Sequence, residues 1–244
     1  MPVVSFDGHS RLVRETEEHV KQHMKEYKDC SHDWSHVCRV RSMALHLAHS
    51  ENTLNFNSVN EKLVELAAIL HDVGDVKFLA PGDTTEGVLS LLMERIGYPH
   101  ELQEAIKWIL SRVSFRYELE HPERQKEEGY LKELWCVQDA DRLDAIGAIG
   151  VARCFAYCGA RNIALYELEI APAITLTSEE YNMRTSSNDN ARNHFYEKLL
   201  KLKGLMKTNA GKAEAARRHE MLRYFIKEFD HECGLDSSIL IHYP

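Results

Sequence analysis

The segment Leu63-Val64-Glu65-Leu66-Ala67-Ala68-Ile69-Leu70 is apolar on nearly every side of a helix, and it runs directly into His71-Asp72. A helix that is apolar all round belongs in a protein interior. The rest of the chain must therefore supply enough neighbours to surround it, and must also give His71 and Asp72 something to bind. A buried carboxylate without a partner costs several kcal/mol, so such a group is ion-paired, densely hydrogen-bonded or bound to metal. At 244 residues the chain can bury a sizeable core.

Helical signals recur throughout. Arg11 to Tyr27 places Leu12, Val13, Val20 and Met24 on an apolar stripe, and Ser35 to His49 follows a break at Asp33-Trp34. Ser58-Val59-Asn60-Glu61 reads as a capping box, with Ser58 starting the buried helix. Further helices are expected over Thr85–Ile96, Pro99–Arg112, Gly129–Cys158, Asn188–Met206 and Gly211–Glu232. Gly74 and Pro81-Gly82-Asp83 interrupt the chain just past His71-Asp72, which sets that pair at a helix end beside a loop. Strand-like alternation is confined to Ile170–Thr177.

A second anomaly lies in Leu134-Trp135-Cys136-Val137 and Ala145 to Tyr157, an apolar helical stretch with Asp139, Asp141, Arg142 and Asp144 in its middle. Three acids and one base inside a core-like helix ask for a positive partner. Periodicity does not choose among the acids: Asp141 shares a face with Leu134, Val137, Ala145 and Ala148, while Asp144 has Val137, Ala148 and Val151 at helical spacing. The His-Asp dipeptide itself is cheap, since random pairing of 14 histidines with 12 aspartates in 244 residues yields about 0.7 copies. Two copies, at 32–33 and 71–72, prove little alone. More informative are nitrogen and oxygen donors in three separate segments, of the kind a divalent ion needs for hydrolytic chemistry.

The order His36, His71-Asp72, Asp141 resembles the H…HD…D signature of the HD-domain metal-dependent phosphohydrolase superfamily. Longer stretches resemble its small stand-alone YedJ/YpgQ-like branch: His-Asp-Trp-Ser-His-Val-Cys-Arg-Val (32 to 40), Leu-His-Asp-Val-Gly-Asp-Val-Lys-Phe (70 to 78), Ser-Phe-Arg (114 to 116), Gln-Asp-Ala-Asp-Arg-Leu-Asp-Ala-Ile-Gly-Ala-Ile-Gly-Val-Ala-Arg (138 to 153) and His-Phe-Tyr-Glu-Lys-Leu-Leu-Lys-Leu-Lys (194 to 203). The likeness covers roughly residues 10 to 234. It implies an all-α fold, a single HD domain over 1–244 with its metal site between central helices and a less regular insertion at 160–190. It also implies that the last ligand is Asp141, and that His36, His71, Asp72 and Asp141 converge on one divalent ion. Mn2+ or Mg2+ suits that mixed donor set best, with Fe2+ or Co2+ also compatible. The implied substrate is a small phosphate ester, foremost a nucleotide.

Other residues take roles around such an ion. Asp75 lies one helical turn beyond His71-Asp72, where related HD hydrolases place an acid, and is expected to orient or deprotonate the attacking water. Arg142 beside Asp141 is expected to serve the reaction, or equally to balance the acids. Arg39, Lys77 and Arg116 are candidate phosphate contacts, and Phe115 a candidate contact for a base. His32 and Asp33 read as capping groups or as supports behind the ligands. Gly147-Ala148-Ile149-Gly150 follows acids in a helical pattern rather than a strand, so close helix packing is expected there instead of dinucleotide binding.

Two other functions stay open. An HD-type di-iron oxygenase would need His100, His121 or another histidine to complete a second metal site. A nucleotide-binding regulator of weak catalytic power is opposed by the intact ligands and Asp75. Net charge of −8 disfavours polymeric nucleic acid as a partner. No apolar run approaches the roughly 20 residues of a bilayer span, and Met-Pro-Val-Val-Ser-Phe-Asp has no charged segment ahead of an apolar one. A cytoplasmic location without membrane contact is therefore expected. The six cysteines contain no Cys-x-x-Cys, and Cys136, Cys154 and Cys158 sit in apolar helical contexts typical of reduced, buried thiols. Oligomeric state leaves no mark in the sequence.

Overall fold

The segment that is apolar on every side forms α3 (Glu61–Leu70) in a computed structural model that describes residues 6–25, 32–55, 58–74, 79–121, 129–173 and 190–242. Leu63, Val64, Leu66, Ala67, Ala68, Ile69 and Leu70 are all buried. Around them pack α1 (Phe6–Met24), α2 (Trp34–Asn55) and α5 (His100–Val113). Each large apolar side chain gains about 1.5–3 kcal/mol by leaving water, which puts this helix among the others of its unit. α1 turns Leu12, Thr16, Val20 and Met24 inward at four-residue spacing. The capping box expected at Ser58 is corrected. Asn60 is the N-cap and its side chain accepts from the Leu63 amide. Glu61 does not reach back, because its carboxylate accepts from Asn52 Nδ2 at 2.9 Å.

Beyond α3 the chain continues through α4 (Thr85–Ile96), α5 and α6 (Phe115–Glu120). These helices belong to the first of two compact units, residues 1–28 with 32–140; the second comprises 29–31 with 141–244. The single helix expected over Gly129–Cys158 is two: α7 (Leu131–Asp144) and α8 (Gly147–Ala160), bent by 71°. Ile146 is extended and Gly147 has φ +75°, a conformation that side-chain-bearing residues rarely adopt. The stem of Arg218 lies 3.1 Å from where a Cβ on Gly147 would stand, and Arg218 Nη1 donates to the Leu143 carbonyl at 2.6 Å. A Cβ on Gly150 would meet the Ala145 carbonyl oxygen at 2.3 Å. The Gly-Ala-Ile-Gly run thus serves close packing, as its helical setting predicts.

The second unit holds α8, α9 (Ala191–Glu197), a 3-10 helix (Leu199–Leu205) and α10 (Asn209–Glu232). The helix expected from Asn188 to Met206 is therefore α9 followed by a 3-10 turn, with Lys198 off helical geometry at the junction. Phe155, Phe195, Phe225 and Phe229 cluster with ring centroids 5.5–6.1 Å apart. Beside them Asp230, fully buried, accepts from Arg192 Nε (2.6 Å) and Nη2 (3.0 Å) and from the Tyr196 hydroxyl (2.6 Å). Residues 170–173 form no strand, no strand occurs among the described residues, and 174–177 lie outside them. Cys136, Cys154 and Cys158 are buried and take part in no disulfide. No single described helix is long and apolar enough to cross a membrane.

Removing one member of a buried ion pair strands the other, which typically costs about 3–5 kcal/mol. Asp230→Ala is therefore expected to lower the unfolding free energy by that order in urea titration. Arg217→Ala, at an exposed pair with Glu214, is expected to move the midpoint little. Equal effects of the two substitutions would remove the special place of Asp230.

Candidate metal centre

The centre begins with a helix cap. Asp33 Oδ1 accepts from the His36 amide at 2.8 Å, which starts α2 and sets the His36 ring inward, almost wholly buried. His32 lies edge-on to that ring, with centroids 6.1 Å apart. His71 is the C-cap of α3 and still holds helical angles, φ −59° and ψ −30°. Its Nδ1 lies 2.8 Å from the Ala68 carbonyl oxygen. A carbonyl only accepts, so Nδ1 carries a proton, and in the neutral ring Nε2 keeps its lone pair, a tautomer assigned from the hydrogen bond.

That lone pair faces a second imidazole. His71 Nε2 and His36 Nε2 are 3.1 Å apart, with the rings edge to face. The Asp72 carboxylate completes the cluster, Oδ2 at 3.3 Å from His36 Nε2 and Oδ1 at 3.4 Å from His71 Nε2. Burial alone would raise the Asp72 pKa. The adjacent His71, the bond to His36 and the nearby His32 outweigh that and hold its carboxyl well below the usual range. Two nitrogens and a carboxylate drawn this close call for positive charge among them, a shared proton or a cation.

α7 brings the next donor. Glu133 Oε1 accepts from the Asn60 amide at 2.8 Å, at the start of α3, and Gln138 Nε2 donates to the Arg112 carbonyl at 2.8 Å, at the end of α5. One turn past Gln138 on the same continuous helix, Asp141 offers a carboxylate oxygen that lies with ring nitrogens of His36 and His71 in a group spanning no more than 4.8 Å. Of the other acids, Asp144 pairs with Arg153 Nη1 at 3.1 Å, and Asp139 is fully buried. Donors held about 2.1–2.2 Å from one ion at right angles stand about 3 Å apart. The His36, His71 and Asp72 spacings of 3.1–3.4 Å fit that requirement. The mixed imidazole and carboxylate set offers the nitrogen and oxygen donors that a divalent ion takes.

Other expected site residues lie as follows. Arg142 is buried, and its Nη1 donates to the Leu205 carbonyl at 3.1 Å. Arg39 is half-buried on α2. Phe115 opens α6, which Ser114 caps by accepting from the Tyr117 amide, and the exposed Arg116 pairs with Glu120 at 2.8 Å. Asp75 and Lys77 lie outside the described residues. The turn leading to them is defined: Gly74 has φ +76°, and Thr85 Oγ1 donates to its carbonyl at 2.6 Å. His100 is exposed, and His121 stacks on Tyr117 with centroids 4.4 Å apart. Neither joins a metal-type donor group among the described residues. The supports missed in the sequence are Glu133, Gln138 and the Ala68 carbonyl. The first two are polar groups in an apolar helix, a readable signal, whereas any residue could supply the carbonyl.

Comparison with known proteins follows the same lines. Residues 33–146 match the family model for the HD domain. The chain is 32% identical to YpgQ of Bacillus subtilis over 212 residues, 84% of this chain and 87% of that protein. Among solved structures, a Lactobacillus plantarum protein superposes with TM-score 0.77 at 32% identity, covering 92% of this chain and 98% of the other. An HD-superfamily hydrolase from Bacillus thuringiensis gives TM-score 0.63 at 34% identity, covering 93% and 100%. Bacillus subtilis YpgQ in complex with ADP gives TM-score 0.66 at 26% structural-alignment identity, covering 93% and 99%.

A ligand present at 100 times its dissociation constant stabilises the fold it binds by about 2.7 kcal/mol. Mn2+ is accordingly expected to raise the thermal midpoint of the wild-type chain by several degrees and to leave that of His71→Ala unmoved. An undiminished rise in His71→Ala would put the ion elsewhere.

Proposed function

This chain belongs to the HD-domain family, in its YpgQ-like branch, and we propose that it is a metal-dependent phosphohydrolase acting on a small phosphate ester, foremost a nucleoside phosphate or triphosphate. Two observations carry the proposal: the His36 and His71 Nε2 nitrogens lie against each other and the Asp72 carboxylate, and ring nitrogens of the same two histidines group with an Asp141 carboxylate oxygen. The complex of the relative YpgQ with ADP supports a nucleotide as the ligand class.

In this reading His36, His71, Asp72 and Asp141 hold one divalent ion, Mn2+ or Mg2+ foremost. When bound, the ion supplies Lewis acidity, lowering the pKa of water and offsetting charge on a phosphate oxygen. The Ala68 carbonyl keeps the His71 Nε2 lone pair available, and the Asp33 cap holds His36 in place. Asp75 orients the attacking water and takes its proton. Arg142 balances negative charge next to Asp141, while Arg39, Lys77 and Arg116 bind phosphate oxygens and Phe115 lies along the base. The engagement of His121 with Tyr117 counts against a second metal of the oxygenase type.

The deciding experiment incubates the purified chain with Mn2+ or Mg2+ and a panel of nucleoside mono-, di- and triphosphates, and identifies the products by mass. Turnover that disappears with chelator is expected, and Asp75→Asn should lower kcat by about 10²–10⁴ with metal content preserved. No turnover across the panel would overturn the proposal. Unchanged kcat in Asp75→Asn would remove that residue alone.

A further inference from the structure

We propose that Arg41 and Glu65 are positioning residues that set the spacing of His36 and His71. The inference rests on the metal-centre reading above and adds what holds its two imidazoles in register. His36 stands on α2 and His71 at the end of α3, so their 3.1 Å approach depends on how one helix lies along the other. Arg41 lies five residues past His36, and Glu65 six residues before His71. At 1.5 Å per residue the pair sits about 7–9 Å along the helices from the centre.

Arg41 joins three helices through one guanidinium. Its Nε donates to Glu65 Oε1 on α3 at 3.0 Å, its Nη2 donates to the same oxygen, and its Nη1 donates to Glu17 Oε1 on α1 at 2.7 Å. The second Glu65 oxygen lies 2.7 Å from His9 Nε2, also on α1. Burial by itself would raise the Glu65 pKa, but the bonds to His9 and Arg41 prevail and hold it below its ordinary value, so the carboxylate stays charged. The side chains of Arg41 and Glu65 are only 28% and 14% exposed, which limits screening by solvent and salt.

Apolar packing between α2 and α3 is non-directional and fixes their separation more firmly than their sliding or rotation. A planar guanidinium fork clamped to one carboxylate is directional and resists both motions. The centre needs that resistance, because metal donors must be placed within about 0.2 Å. A second cross-link between these helices, His49 Nδ1 to Glu61 Oε1 at 3.6 Å, lies farther from the centre and is largely exposed. It provides the control.

The test is Mn2+ binding to the chelator-stripped full chain, read by calorimetry and by the electron paramagnetic signal of the ion, beside the thermal midpoint of each metal-free variant. Arg41→Met and Glu65→Gln are each expected to weaken Mn2+ binding about tenfold, the size of effect seen when supports behind a ligand are lost. His49→Ala should bind Mn2+ like the wild type. A lowered midpoint with unchanged Mn2+ affinity would mean that the pair only stabilises the fold, and would overturn the proposal. Equal weakening in His49→Ala would overturn it as well. Glu65→Gln preserves size, and carries the test if Arg41→Met does not fold. Failure of the wild-type chain itself to bind Mn2+ would instead bring down the metal-centre reading, and this inference with it.

Discussion

Two imidazole nitrogens held 3.1 Å apart, with a carboxylate against both, form the contact on which the rest of this structure depends. The Ala68 carbonyl fixes the His71 proton on Nδ1, so the facing nitrogen is an electron pair rather than a donor. Such a cluster calls for a shared proton or a cation inside it. Folding the chain this way therefore gathers donors of the kind a cation takes, and much of the surrounding architecture serves to keep the cluster from relaxing.

The buried helix does the first part of that work. Seven of the ten residues of α3 are apolar and buried, so it is driven to the interior, and His71 and Asp72, which follow its end, are carried in with it. Caps and anchors do the second part. Asp33 starts α2 at the right turn, Glu133 and Gln138 tie α7 to the start of α3 and the end of α5, and Asp141 follows one turn later. Gly74 lies against Thr85, whose hydroxyl donates to its carbonyl. Each of these is a single hydrogen bond or one backbone angle.

Much of this was legible in the sequence, and for identifiable reasons. The apolar run 63–70 could only be an interior helix, and the all-helical character followed from periodicities that α1, α4, α5 and α10 reproduce. The choice of cap was not legible, because Ser58 and Asn60 are both good N-caps and the contest was decided by Asn52 drawing Glu61 away. The break at Ile146-Gly147 was also hidden. An apolar helix continues through such a pair unless a neighbour, here the stem of Arg218, occupies the space and bonds the Leu143 carbonyl. Periodicity could not separate Asp141 from Asp144, since both have apolar residues at helical spacing. Their partners separate them, and those come from other segments of the chain.

The most direct measurement is anomalous diffraction at the manganese edge from crystals of the metal-loaded chain. One peak is predicted, bonded to the Nε2 atoms of His36 and His71 and to carboxylate oxygens of Asp72 and Asp141. A fully loaded crystal whose peak lies on other residues, or touches only one of the two histidines, would contradict the central claim.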